Sequence, residues 1–318
     1  MTKTARRDLR NGLLFASPYI IGFLAFTLYP FAASVYYSFC SFNAIDPPVW
    51  TGLANYRQMA HDTYLHTSLY NTFYYTLGSV PAGIAFSILL AVFLNQKLRG
   101  MATYRTIFFL PTIVPIVATS VLWLWVFNPE SGLLNGILRQ IGTETAIVKF
   151  NTFVDAYGLG TKVPHLSIPN WLSDKDWAMP ALILMSFWGV GGAVVIFLAG
   201  LADVPQSLYE VAEIDGAGPI RKFWNVTLPM ITPTILFNLV MGLIGAFQYF
   251  TQVYVMTAGL GGPANSTLVY ALYLYQKAFN YLNMGYASAM GWMLFVVVLA
   301  CTMGVMYSSK RWVHYHGD

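Results

Sequence analysis

The residues with the most distinctive types and spacing lie in one run, Tyr209-Glu-Val-Ala-Glu-Ile-Asp-Gly-Ala-Gly-Pro-Ile-Arg-Lys-Phe-Trp-Asn-Val-Thr-Leu-Pro229. Their chemistry is mechanical rather than covalent. Residues 205–214 read as a short helix, with Pro205 near its first turn. Asp215 to Pro219 is a sharp turn with almost no side-chain bulk. A second short helix is expected to carry Arg221, Lys222 and Phe223, and Leu228-Pro229 ends it. Two short helices at an angle, with a small-residue elbow and an aromatic knob, make a shape that fits a partner's groove. The same pattern also describes a hinge lying on a membrane surface.

Covalent chemistry finds little support. No Gly-x-x-x-x-Gly-Lys-Ser/Thr string occurs, and the nearest text, Gly158-Leu-Gly-Thr-Lys162, lacks the Gly-Lys pair that cradles phosphates. His61, His66, His165, His314 and His316 fall in loops or the tail without a partner at ligand spacing, so no metal site and no catalytic residue is assigned. Cys40 and Cys301 fall at or inside apolar runs and read as small apolar filler rather than a disulfide framework.

The elements that must position the run are apolar. Hydrophobic residues make up 57% of the 318 residues and charged ones 9%, against about 25% charged in a soluble domain. Stretches free of Asp, Glu, Lys and Arg place spans at about 13–39, 73–94, 106–127, 178–201, 231–256 and 287–307. Each is long enough to cross about 30 Å of hydrocarbon, which takes about 20 residues. The first span is too long for the h-region of a cleaved signal peptide. A turn-rich loop from Ala258 to Asn265 follows the fifth span. Residues 268–284, aromatic-rich with one Lys277, are expected as a helix near the interface rather than a seventh span.

With the N-terminus inside, eleven Lys and Arg fall on inner segments and six on outer ones, which predicts both termini cytoplasmic. The net charge of +4 reflects that bias and implies no nucleic-acid partner. The longest outer loop, 128–177, is expected as a small elaboration with no core of its own. The domain reading is a tail at 1–12, a permease domain at 13–308 with a coupling loop at 202–230, and a tail at 309–318.

Glu210, Ala212, Asp215, Gly216, Ala217, Phe223, Leu228 and Pro229 stand at the spacing of the E-A-A–x-x–D-G-A–x5–F–x4–L-P element. The chain thereby resembles the binding-protein-dependent ABC importer permeases, with Val211 replacing the Ala at the second position of the element. The stretch from Trp123 through Asn128-Pro-Glu-Ser-Gly-Leu-Leu-Asn135 is similar to permeases of the maltose and glycerol-phosphate type. So are Thr257-Ala-Gly-Leu-Gly-Gly-Pro263 and Met284-Gly-Tyr-Ala-Ser-Ala289. Residues 143–175 exceed the usual family loop and do not align.

The resemblance implies an all-α membrane protein of the type I ABC importer permease kind, with six transmembrane helices and cytoplasmic coupling helices, in a bacterial inner membrane. It implies that the eight residues form a coupling helix docked on an ATPase subunit. The partners would be a second homologous permease, two nucleotide-binding subunits that hold ATP and Mg, and an external solute-binding protein. This chain would hold no cofactor. The cargo would be a sugar, first of all an oligosaccharide.

Ionisable residues are missing from the spans, which argues against proton coupling within this chain. Polar uncharged and aromatic residues in the spans are the candidates for sugar contact: Trp188 beside Gly189, Gly191 and Gly192, and Asn238, Gln248, Tyr249 and Gln252. Asn238, Tyr249 and Gln252 can share one face of a continuous helix. The same residue types also glue helices together or gather at interfaces. Two alternatives stay open: a stand-alone secondary sugar carrier, and a permease for a non-sugar solute such as glycerol phosphate. A membrane-embedded enzyme would need clustered acid, base or nucleophile groups, which the sequence does not offer.

Overall fold

A computed structural model describes residues 3–96, 99–140, 152 and 169–314. The chain divides into two compact units, one of residues 1–62 with 274–296, the other of residues 63–273 with 297–318.

In the first unit, α1 (Lys3–Phe23) passes through a wide turn at Leu24–Leu28 into α2 (Tyr29–Ser38). The wide turn has a local cause. Pro30 has no N–H for the carbonyl four residues back, and a π-type turn absorbs the missing bond. A two-stranded hairpin, β1 (Cys40–Ser41) and β2 (Val49–Trp50), and α3 (Ala54–His61) follow.

The second unit is built on α4 (Thr63–Leu94), a continuous helix of 32 residues. Next come α5 (Met101–Phe109), α6 (Ile116–Val126) and α7 (Leu133–Gln140). Then follow α8 (Lys175–Ser186), α9 (Gly191–Ala202), α10 (Gln206–Ile214), α11 (Pro219–Lys222), α12 (Thr232–Phe247) and α13 (Thr251–Met256). Helix α4 packs along α8, α9 and α12, and α13 packs on α6. The last helices are α14 (Tyr270–Tyr275) and α15 (Met284–Ser309).

Every expected span overlies apolar helix. Three are continuous: Arg6–Ser38, Thr63–Leu94 and Met284–Ser309. The others are bent pairs, by 100° between Met101–Ile113 and Ile116–Val126, and by 50° between Lys175–Gly189 and Gly191–Ala202. The third pair, Pro219–Met230 and Thr232–Phe247, bends by 66°. The 100° bend replaces the straight span expected at 106–127. Pro115 pushes Val114 out of the helical region, to φ −69° and ψ 130°, and caps α6. The expected fifth span also breaks: α12 ends at Phe247 and helix resumes at Thr251. Between Leu268 and Met284 only α14 and a π-type turn at Gln276–Asn280 are helical.

The long loop departs from expectation at its base. Trp171 Nε1 donates to Asn135 Oδ1 at 2.7 Å, and Asn135 Nδ2 donates to the carbonyls of Pro129 and Pro169. Phe127 and Trp177 both meet the Trp171 ring beside this buried amide, Phe127 tilted and Trp177 edge to face. The base therefore has a small core, because a buried amide and indole must pair with each other. Most of 143–175 lies outside the described residues.

Close helix packing depends on missing side chains. A Cβ on Gly191 would lie 2.5 Å from the Phe108 carbonyl oxygen, a backbone atom that cannot swing away. A Cβ on the adjacent Gly192 would meet open space. Gly191→Ala should destabilise by about 1–3 kcal/mol, the scale of overpacking, while Gly192→Ala should be near neutral. Thermal unfolding of the two purified variants distinguishes them, and equal midpoints would refute the packing account.

Candidate functional site

Two features of the second unit carry the site: the 202–230 loop and a cavity between helices. In the loop, α10 begins after Pro205, whose extended backbone (φ −59°, ψ 129°) makes it the N-cap. The helix stops in a Schellman closure. Ala217 N–H donates to the Ala212 carbonyl at 2.8 Å, and Gly216 N–H to the Glu213 carbonyl at 3.0 Å. That closure needs a left-handed residue at Gly216, whose φ is +73°. Gly218 is extended ahead of Pro219, the first residue of α11. Lys222 pairs with Glu213 across the elbow. Beyond α11 the backbone widens at Phe223–Thr227, where Pro229 cannot donate to Asn225, and a short turn, Leu228–Met230, leads into α12.

The loop is packed onto the helices it joins. Tyr209, Phe223, Val226 and Met230 lie against a buried cluster that includes Ile88, Leu94, Phe197, Leu201 and Ile231. Tyr209 and Thr227 share a hydroxyl–hydroxyl bond at 3.0 Å. Two donors of Arg105 tie off the Leu94 carbonyl at the end of α4. The expected aromatic knob is thus reassigned. Phe223 turns partly inward, and Ile214 (86% exposed), Ile220 (77%) and Trp224 (60%) form the outward apolar face. Glu210, Asp215 and Gly216 are exposed, while Ala212, Ala217, Leu228 and Pro229 are half-buried.

The cavity, of about 610 Å³, is lined from α4, the α5–α6 bend, the α8–α9 bend and α12–α13. Trp188, Asn238, Tyr249 and Gln252 line it. Gln248 does not; it is exposed at the C-cap of α12. The single helix face expected for Asn238, Tyr249 and Gln252 does not exist, because the helix is interrupted between Phe247 and Thr251. Three of the helix interruptions supply lining residues: Thr112 and Val114, Trp188 and Gly189, and Tyr249. Irregular backbone at membrane depth is tolerated where it borders a cavity or is buried in protein.

Residues missed at the sequence level include Tyr75, Ser79, Gly83 and Ser87, which stand on α4 at strict intervals of four and line the cavity as one stripe. That spacing was readable. Its signal was lost because Ser and Gly are also common packing residues in membrane helices. The rings of Tyr75 and Tyr249 stack with centroids 4.1 Å apart. The hydroxyls of Ser87, Thr112 and Ser186 donate to carbonyls of their own helical turns, at 2.7, 2.7 and 2.6 Å. Such hydroxyls keep lone pairs with which to accept. Trp188 is 44% exposed and meets Trp123 edge to face. None of the described lining residues is Asp, Glu, Lys, Arg or His. Acceptors beside an open indole suit a polyhydroxylated molecule.

The family model described as "Binding-protein-dependent transport system inner membrane component" matches residues 83–314. The chain is 40% identical over 316 residues to the probable ABC transporter permease protein YesP of Bacillus subtilis, covering 99% of this chain and 95% of that one. It is 33% identical to the arabinooligosaccharides transport system permease protein AraP of the same organism, covering 91% and 85%. It is 31% identical to the lactose transport system permease protein LacF of Rhizobium radiobacter, covering 98% and 99%. Its fold matches a chain of a bacterial ABC transporter involved in the import of the acidic polysaccharide alginate, with a TM-score of 0.73 and 24% identity over 98% of this chain and 99% of that one.

The Schellman closure makes a local prediction. Gly216→Ala forces a Cβ into the left-handed region at about 1–2 kcal/mol, and Asn tolerates that region better. Exchange of the Ala217 amide should accelerate about fivefold or more in the Ala variant, and less in Gly216→Asn. Hydrogen exchange with mass spectrometry reads this, and identical rates in both variants would remove the backbone explanation.

Proposed function

This chain belongs to the family of binding-protein-dependent transport system inner membrane components, and from that premise we propose that it is the permease subunit forming half of an ATP-driven sugar import pathway. The observation that carries the proposal is the weld between loop and cavity: the elbow packs, through Tyr209 and Phe223, on a cluster at the ends of α4 and α9, and the middle turns of α4 and the first turn of α9 line the cavity. A push on the elbow therefore displaces the cavity wall. The named cargoes of the relatives, arabino-oligosaccharides and lactose, support an oligosaccharide. The hydroxyl- and indole-lined wall supports it on chemical grounds.

In this reading the outward face of Ile214, Ile220 and Trp224 docks on a nucleotide-binding subunit, which holds the ATP and Mg. A second, homologous permease completes the pathway, and an external solute-binding protein delivers the sugar. A complex of the alginate transporter with an alginate-pentasaccharide-bound periplasmic protein supports the last partner by analogy of fold. Both termini and the elbow lie on the cytoplasmic side, as the Lys and Arg distribution favours. ATP binding shifts the population between inward- and outward-open states because the nucleotide-binding subunits bind it differently in the two.

The test is reconstitution of the full complex in proteoliposomes. Uptake should require ATP and the sugar-loaded binding protein. Trp188→Ala should lower uptake about tenfold, the scale of one lost aromatic contact of about 1–2 kcal/mol, while binding-protein-stimulated ATP hydrolysis persists. Gly216→Asn, which keeps the turn but adds bulk where nothing lies within 4 Å, should depress stimulated hydrolysis and uptake together. Downhill sugar flux by this chain alone would favour a stand-alone carrier and end the proposal.

A further inference from the structure

The first unit carries an aromatic hairpin that the transport reading leaves unused. Its attachment is rigid. Asn55 Nδ2 donates to the Ser38 and Cys40 carbonyls, both at 2.9 Å, which closes the C-terminal end of α2. Gly285 N–H donates to the Phe42 carbonyl, and the Cys40 carbonyl oxygen lies so close to Gly285 that any Cβ would collide with it. The hairpin therefore keeps a fixed position relative to the end of the first apolar helix.

Its surface is divided. The turn carries the polar pair Asn43 and Asp46 beside an exposed Ile45: Asn43 Oδ1 accepts from the N–H groups of Ile45 and Asp46, and Asn43 Nδ2 donates to Asp46 Oδ2. Val49 and Trp50, on opposite faces of the short ribbon, and Leu53 at the start of α3 are apolar and open, 63%, 59% and 55% exposed. Trp50 is braced against Phe39, with ring centroids 5.4 Å apart, and against Tyr36, at 5.8 Å. Its ring is ordered by neighbours while one side stays uncovered.

Depth follows from chain geometry. From Arg10 to Ser38 the helix rises 28 residues, about 42 Å at 1.5 Å per residue. That matches the 40–45 Å between the two outer limits of the headgroup layers. With Arg6, Arg7 and Arg10 in one layer, the hairpin falls in the opposite one. Trp and Tyr favour that zone, because an apolar ring and a polar N–H or O–H are both satisfied there. Phe26 in the wide turn and Tyr29 and Phe31 on α2 are also open on the apolar helix that leads to the hairpin.

We propose that the Cys40–Trp50 hairpin is an interfacial anchor, with Val49, Trp50 and Leu53 seated among phospholipid headgroups and upper acyl chains and the Asn43–Asp46 turn in water. It would fix the depth of the first helix in the bilayer, independently of solute and nucleotide.

The test is site-directed spin labelling of Val49→Cys in the assembled transporter in phosphatidylcholine–phosphatidylglycerol nanodiscs, without binding protein. Cys301→Ser removes the partly exposed native thiol, and Cys40 is buried. The signal is the difference from the same complex without Val49→Cys. Collisions with oxygen should exceed those with a water-soluble nickel chelate, giving a ratio above unity. Leu53→Cys should behave alike and covers the case in which the first label perturbs the strand. A ratio below unity at both sites would overturn the proposal. So would exclusion of both reagents, which marks a protein neighbour, or shielding that arises only when the solute-binding protein is added.

Discussion

The 202–230 loop is packed on the helices it joins rather than tethered between them, which is the condition for it to act as a lever. A flexible loop absorbs a push, whereas interiors packed at native density transmit it. Phe223 and Tyr209 lie against a cluster that contains Leu94 at the end of α4, Leu201 near the end of α9 and Ile231 at the start of α12. Three helices that border the cavity are thereby held at one end by the same group of side chains. The Schellman closure at Gly216 and the Lys222–Glu213 pair fix the elbow itself. An apolar face can then project outward without the loop collapsing onto it.

A second constraint shapes the cavity. Helices in hydrocarbon satisfy their own backbone, so each interruption must be buried in protein or border a cavity. Here the interruptions at Val114, at Phe187–Gly189 and between Phe247 and Thr251 all contribute to one lining. Helix breaking and cavity building are thus a single act. Prolines and glycines pay locally for a wall that exposes hydroxyls and an indole. Small residues let the elements close in: Gly191 admits the Phe108 carbonyl, and Gly200 admits Thr234.

The same economy of backbone recurs at the wide turns Leu24–Leu28 and Phe223–Thr227. In both, a proline two residues beyond the turn, Pro30 or Pro229, removes one donor, and the helix widens instead of ending. The resulting offset rotates everything after it. Phe223 faces the core while Trp224, one position and about 100° further round the helix, faces out.

The spans and the elbow were legible in the sequence because both are set by local or one-dimensional physics. Charge-free length suffices to mark a membrane-crossing helix, and Gly216 with Pro219 suffices to mark a turn that only a left-handed residue can close. Tertiary structure alone decided which polar residues share the cavity. Periodicity assumes an unbroken helix that turns about 100° per residue, and an interruption resets that angle. Tyr249 and Gln252 therefore line the cavity across a break, Gln248 at the C-cap does not, and the stripe from Tyr75 to Ser87 acquires its role only once α9 and α12 are packed beside it. Sequence spacing places residues on a helix; only packing places the helix against its neighbours.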